Sequence, residues 1–244
     1  MKADVRRLST EQTEAFDVEY IDKALFLVLT THIDKQFDTS QPFHLLDVGG
    51  GNGMYADKVL EHYPSADVTV VEPEQALLDK NRVHPNKHLQ ASTFQESSLQ
   101  TRHDMIQFNW VLHHFVADSF SQTLNAQQNA LDTAYQNLNP GGLLIVFENL
   151  YEGEWLHDLP GQLIYRCTAS KLLTPLSHRM GANTAGVGVS FHSHTKWQQM
   201  IEKAGFRTTV YVPCYHFGNL GKLVKFGLHL KEQKVGMFIA IKER

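Results

Sequence analysis

Residues 44–53 read HLLDVGGGNG, placing Gly49, Gly50, Gly51 and Gly53 directly behind an apolar run and an aspartate, Asp47. Glycine loses the most backbone freedom on folding, so this density suggests a tight turn or a ligand held close to the chain. The spacing is G-x-G-x-G, not the G-x-G-x-x-G of dinucleotide sites. A carboxylate before the loop would oppose a phosphate and suit an ammonium group. Glu72, followed by Pro73, lies 19 positions beyond Gly53. An acidic residue at about that distance, at the tip of the next strand, can take both hydroxyls of a ribose. A ligand with a ribose and an amine but no pyrophosphate is implied, and S-adenosylmethionine fits. His113 and His114, in WVLHHF, supply groups that can exchange protons near neutral pH.

These groups need a scaffold. FHLLDV (43–48), DVTVVEP (67–73), KHLQAST (87–93), DMIQFNWVLHHF (104–115) and GLLIVFENL (142–150) read as strands, the fourth running into a loop. Helical patterns lie between them, at NGMYADKVLEHY, at EQALLDKNRV and over 119–138. This alternation predicts parallel βαβ units and a doubly wound α/β sheet. Residues 9–37 read as helical, with capping chemistry at Ser9, Thr10, Glu11 and Glu14. Residues 1–40 are expected to form a helical lid and 41–244 the main domain. Residues 151–190 break the rhythm and read as a cap inserted after the fifth strand, over the sheet's edge. SHTKWQQMIEKAGF then reads as a capped helix, and RTTVYVPCYH and VGMFIAIKER as two closing strands.

Composition narrows the function further. Of 244 residues, 42% are hydrophobic and 20% charged, and the net charge is −4 with no basic run. That excludes a broad nucleic-acid surface, and no nucleic-acid partner is expected. No apolar stretch approaches a membrane span, and the N-terminus carries no secretory signal, so neither a membrane partner nor export is expected. Cys167 and Cys214 fit no ligand pattern and read as reduced thiols of a cytoplasmic protein. His192 and His194, in FHSH, would share a face on a strand, but no third ligand has readable spacing and no metal is expected.

LLDVGGGNG, VTVVEP, DMIQFNWVLHHF and NPGGLLIVFE together resemble class I S-adenosylmethionine-dependent methyltransferases of the small-molecule type. The resemblance covers about residues 43–150 and the two closing strands. It implies a Rossmann-like, seven-stranded sheet with the last strand antiparallel. It also implies S-adenosylmethionine as cofactor and in-line methyl transfer. Asp47 and Gly49 to Gly53 would surround the methionine part, and Glu72 with Pro73 the ribose. Ser92, Thr93 and Phe94 would flank adenine, although many relatives carry an acidic residue where this chain has Ala91, Ser92 and Thr93. Asn109 and Trp110 would line the methionine side. Leu112 and His113 match an O-methyltransferase stretch whose histidine is the general base, with His114 in place of an aspartate; His114 is the second candidate base. The lid and the cap would supply the acceptor pocket, with Tyr20, Trp155, Tyr165, Arg166, Phe191 and His194 as candidate walls. A small-molecule hydroxyl, phenol or carboxylate, is the expected acceptor. Transfer to nitrogen or carbon, or to RNA or protein, is the alternative, and a monomer or homodimer is expected.

Overall fold

The computed structural model describes residues 5–7, 20–97, 101–174, 184–218 and 220–244. Its seven strands are β1 (Phe43–Val48), β2 (Ala66–Val71), β3 (Lys87–Gln90), β4 (His103–Asn109), β5 (Leu138–Gly153), β6 (Thr208–His216) and β7 (Leu230–Ile241). They form one sheet in the order β3-β2-β1-β4-β5-β7-β6. The first five strands pair in parallel, and β7 runs antiparallel to both β5 and β6. The chain steps outward from β1 to β3 and returns to β4 on the other side of β1. The crevice at the carboxyl ends of β1 and β4 is therefore a topological switch point, where open α/β sheets hold ligands.

Seven α-helices are described: α1 (Lys23–Gln36), α2 (Met54–His62), α3 (Gln75–Leu78), α4 (Phe120–Asn137), α5 (Leu159–Ala169), α6 (His194–Lys203) and α7 (Lys222–Gly227). The central strands are apolar on both faces because both faces are covered. Leu45 joins one core layer with Leu29 and Ile33 of α1 and Val59 of α2. Leu46 joins the other with Leu131 of α4 and Trp197 of α6. The Asp22 carboxylate caps α1 by accepting from the Ala24 and Leu25 N–H groups, both at 2.9 Å. Ser193 caps α6 through Lys196 N–H at 3.2 Å.

Two expectations change, and a third lies partly outside the described residues: of the helical stretch expected over 9–37, α1 is described from Lys23, while the expected cap at Ser9 to Glu14 falls among residues not described. EQALLDKNRV makes only the single turn of α3. Asn81 folds back there, and its Nδ2 donates to Leu77 O (3.3 Å) and Gly51 O (2.9 Å). In the described part of the insertion, expected over the sheet's edge, α5 packs on β5, which lies inside the sheet, and on α4.

Candidate functional site

A cavity of about 490 Å³ opens at the carboxyl ends of β1 and β4, within the range of about 300–1,000 Å³ common for small-molecule sites. The glycine turn forms its floor. Gly49 has φ 68, and a Cβ there would come within 2.6 Å of Val111 Cγ2. A Cβ on Gly50 would lie 2.4 Å from Asp47 Oδ2. The loop backbone thus rests directly on the fully buried Asp47 carboxylate. Gly51 also lines the cavity, whereas Gly53 starts α2 on the far side, against Asn81 and Lys87.

Glu72 follows β2 and is 6% exposed. Its Oε2 accepts from Gly51 N–H at 3.2 Å and its Oε1 from Glu74 N–H at 2.9 Å. A carboxylate offers about four lone-pair sites, so each oxygen keeps capacity for a hydroxyl. Burial raises the Glu72 carboxyl above its ordinary value, against the lowering effect of the two N–H donors. Pro73, Thr93 and Phe94 also line the cavity; Ser92 does not. The Thr93 hydroxyl donates to Glu96 Oε2 at 2.8 Å, and Arg7 Nη2 donates to the same oxygen at 3.0 Å.

The opposite wall follows β4. Asn109 is held by Gln107, whose Nε2 donates to Asn109 Oδ1 at 2.6 Å while its Oε1 accepts from the Tyr55 hydroxyl. Trp110 takes φ 53, sparsely populated for an aromatic residue. Its indole stacks on Phe147 at 5.3 Å, donates to Asn149 Oδ1 at 3.1 Å and meets Tyr20 at 5.6 Å. Neighbouring side chains of β5 point to opposite faces. Asn149 therefore serves Trp110, while Glu148 serves His113. His113 Nδ1 lies 2.6 Å from Glu148 Oε2, and His113 N–H donates to Glu148 Oε1 at 3.2 Å. Glu148 is fully buried and His113 is 5% exposed. With Nδ1 on the carboxylate, Nε2 is the nitrogen left to accept a proton. The His114 ring lies tilted beside it at 4.2 Å; burial, then the coulombic effect of His113, pushes its pKa well down, favouring the neutral ring.

The cavity thus brings together Asp47, Gly49, Gly50, Gly51, Glu72, Pro73, Thr93, Phe94, Asn109, Trp110, His113, His114 and Tyr20. Five expected wall residues stand elsewhere, and one of them, Phe191, stacks on Tyr151 at 4.4 Å. Trp155 is 82% exposed beside His229. Tyr165 is buried and donates to Ala117 O at 2.9 Å. Arg166 is exposed on α5. His194 stacks on Phe238 at 5.7 Å. Its companion His192 is engaged by Asp158 (3.0 Å) and Gln127 (2.8 Å), so the FHSH histidines diverge rather than sharing a face. Tyr55, Gln95, Asn149, Tyr215 and Phe217 line the cavity without having been expected. Asn149 and its chain neighbour Glu148 had a readable signal: two polar residues near the end of an otherwise apolar run, GLLIVFENL.

A family model described as a methyltransferase domain matches residues 18–210. No curated protein matches the chain in sequence. Among solved structures, the chain is similar to the S-adenosylmethionine-dependent methyltransferase SibL, at 17% identity and TM-score 0.55, over 99% of this chain and 63% of that one. It is similar to Haemonchus contortus phosphoethanolamine N-methyltransferase 2 at 12% identity and TM-score 0.63, over 96% and 58%. It is also similar to the mitomycin 7-O-methyltransferase MmcR at 17% identity and TM-score 0.55, over 88% and 53%. The chain thus spans about half to three-fifths of the length of these proteins, and at such identities the likeness shows the fold.

Proposed function

The chain belongs to the methyltransferase domain family, and from that premise we propose that it binds S-adenosylmethionine in this cavity and methylates a hydroxyl of a small-molecule acceptor, with His113 as general base. The residues fit the cofactor. Asp47 lies beneath a glycine backbone with no room for a side chain, and offers negative charge to an ammonium group. Glu72 presents two backbone-anchored oxygens to a ribose diol. Phe94 gives an apolar wall for a base. When bound, the cofactor supplies an electrophilic methyl group on a sulfonium.

The observation that carries the acceptor chemistry is the buried His113–Glu148 pair on the cavity wall. Glu148 orients the imidazole and stabilises the cation formed when Nε2 takes a proton from the acceptor hydroxyl. The neutral His114 ring adds no competing charge beside it. Trp110, Tyr20 and Phe217 keep water from the reacting atoms, and positioning with water exclusion supplies most of what methyl transfer requires.

Calorimetric titration with S-adenosylmethionine and S-adenosylhomocysteine tests the donor site. Micromolar binding, weakened by Asp47→Ala and by Glu72→Ala, is expected; a folded protein that binds neither removes the reading. A screen of phenols and carboxylates for S-adenosylhomocysteine release then tests the base. His113→Ala is expected to abolish turnover while donor affinity stays, and full turnover in that variant excludes His113.

A further inference from the structure

We propose that this protein carries, beside the cavity, a docking surface for an anionic lipid bilayer. Four large apolar side chains stand in solvent together: Trp155 (82% exposed), Leu156 (62%), Leu223 (88%) and Phe226 (87%). They come from two distant segments, the turn after β5 and helix α7. His229 joins the segments into one patch. Its Nε2 accepts from the Trp155 and Leu156 N–H groups at 3.1 and 3.2 Å, and its carbonyl accepts from Glu154 N–H at 3.2 Å. Its own N–H donates to Phe226 O at 3.0 Å, and it holds φ 55 to do so. Leu223 and Phe226, three residues apart, share one face of α7. Because β7 is reversed, β6 runs in the same direction as β5, and α7 emerges at the carboxyl ends of the strands. Tyr215 and Phe217, which lead toward it, line the cavity.

Charge identifies what covers the patch. Lys222 and Lys225 flank the two apolar residues of α7, and Lys231 follows His229. Glu154 opposes them, while Glu232 is held by Lys234 at 2.9 Å. A chain of net charge −4 therefore turns a locally positive rim outward around Trp, Leu and Phe. A second copy packed about a two-fold axis would set these lysines against their own equivalents, and protein interfaces deplete lysine. A negatively charged bilayer surface reverses both objections. It attracts lysines whose stems lie along apolar surface, and it accepts Trp and Phe at headgroup depth. No helix among the described residues is long and apolar enough to cross a membrane, so the contact is peripheral.

Co-sedimentation with phosphatidylcholine vesicles, with and without about 30% phosphatidylglycerol, tests this independently of any methyl transfer. Binding to the anionic vesicles alone is expected. Leu223→Glu with Phe226→Glu should abolish it. Replacing Lys222, Lys225 and Lys231 by Gln should weaken it about fivefold per residue and about a hundredfold together. Lys222, Leu223, Phe226 and Lys231 are exposed and Lys225 is half-buried, and unchanged circular dichroism confirms that the variants fold. Three results overturn the proposal: no partition of the wild type, binding retained in the double glutamate variant, or a wild-type dimer that Phe226→Glu dissociates.

Discussion

Gly50→Ala tests the glycine turn without needing an acceptor. The new methyl would lie 2.4 Å from Asp47 Oδ2, 2.8 Å from Asp47 Cγ and 2.9 Å from Val70 Cγ1. An unstrained contact sits at roughly 3.5 Å, so something must move by about 1 Å. Asp47 and Val70 are fully buried on strands bonded to each other, and neither can swing into solvent. Overpacking of this kind costs about 1–3 kcal/mol, and this site belongs at the upper end. For a chain of this length, about 3 kcal/mol lowers the melting temperature by roughly 6–12 °C. Displacing Asp47 should also weaken S-adenosylhomocysteine binding at least about tenfold, equal to about 1.4 kcal/mol. Gly227→Ala, with nothing within 4 Å of its new methyl, is the control. Thermal melts and titration calorimetry read both effects. A Gly50→Ala protein that melts with the control and binds with wild-type affinity refutes the account of the turn.

Glu148→Gln keeps the shape of the pair but removes its charge; turnover should fall about 10²–10⁴-fold with donor affinity within about twofold, as read by steady-state kinetics and calorimetry. Glu72 gives a pH dependence. Its raised folded pKa favours the folded, ligand-free protein at acid pH and opposes folding once the pH exceeds that value, whereas the proposed ribose contact needs the carboxylate. Donor affinity should therefore fall on acidification, starting above the ordinary carboxylate value of about 4.3, and Glu72→Gln should flatten the calorimetric profile. Gly53→Ala puts a methyl 1.7 Å from Asn81 Oδ1, so Asn81→Ala should recover part of its loss. About 1–2 kcal/mol should remain for φ 73, and a denaturation double-mutant cycle reads the recovered part as the coupling between Gly53 and Asn81.

The strands were legible because both neighbours of each central strand demand apolar residues, and FHLLDV forms β1 over the same six positions expected. The cavity residues at strand ends, such as Asp47 and Glu72, were legible because the strand dictates their direction. The other cavity wall was not legible in the same way. Tyr165 and Tyr55 are equally plausible wall residues in sequence. Which one faces the cavity depends on distant partners: the Ala117 carbonyl takes the Tyr165 hydroxyl, while Gln107 holds Tyr55 at the cavity. EQALLDKNRV has helical composition throughout, but Asn81 is recruited by the glycine turn and ends the helix early. Tyr215 and Phe217 reach the cavity only because β6 runs parallel to β5, which depends on β7 lying between them.

That placement of β7 also sets a timetable for synthesis. Leu143 to Phe147 of β5 pair with Met237 to Ile241 of β7, the last of the seven strands in chain order. Until β7 joins it, β5 is an open, apolar edge, the kind of template that pairs with other nascent chains. The β6 segment, made earlier, has no neighbour to join, and Tyr215 and Phe217 cannot yet stand over the cavity. The nascent chain therefore completes its glycine turn early, but its cavity closes only after β7 has been made and has joined β5.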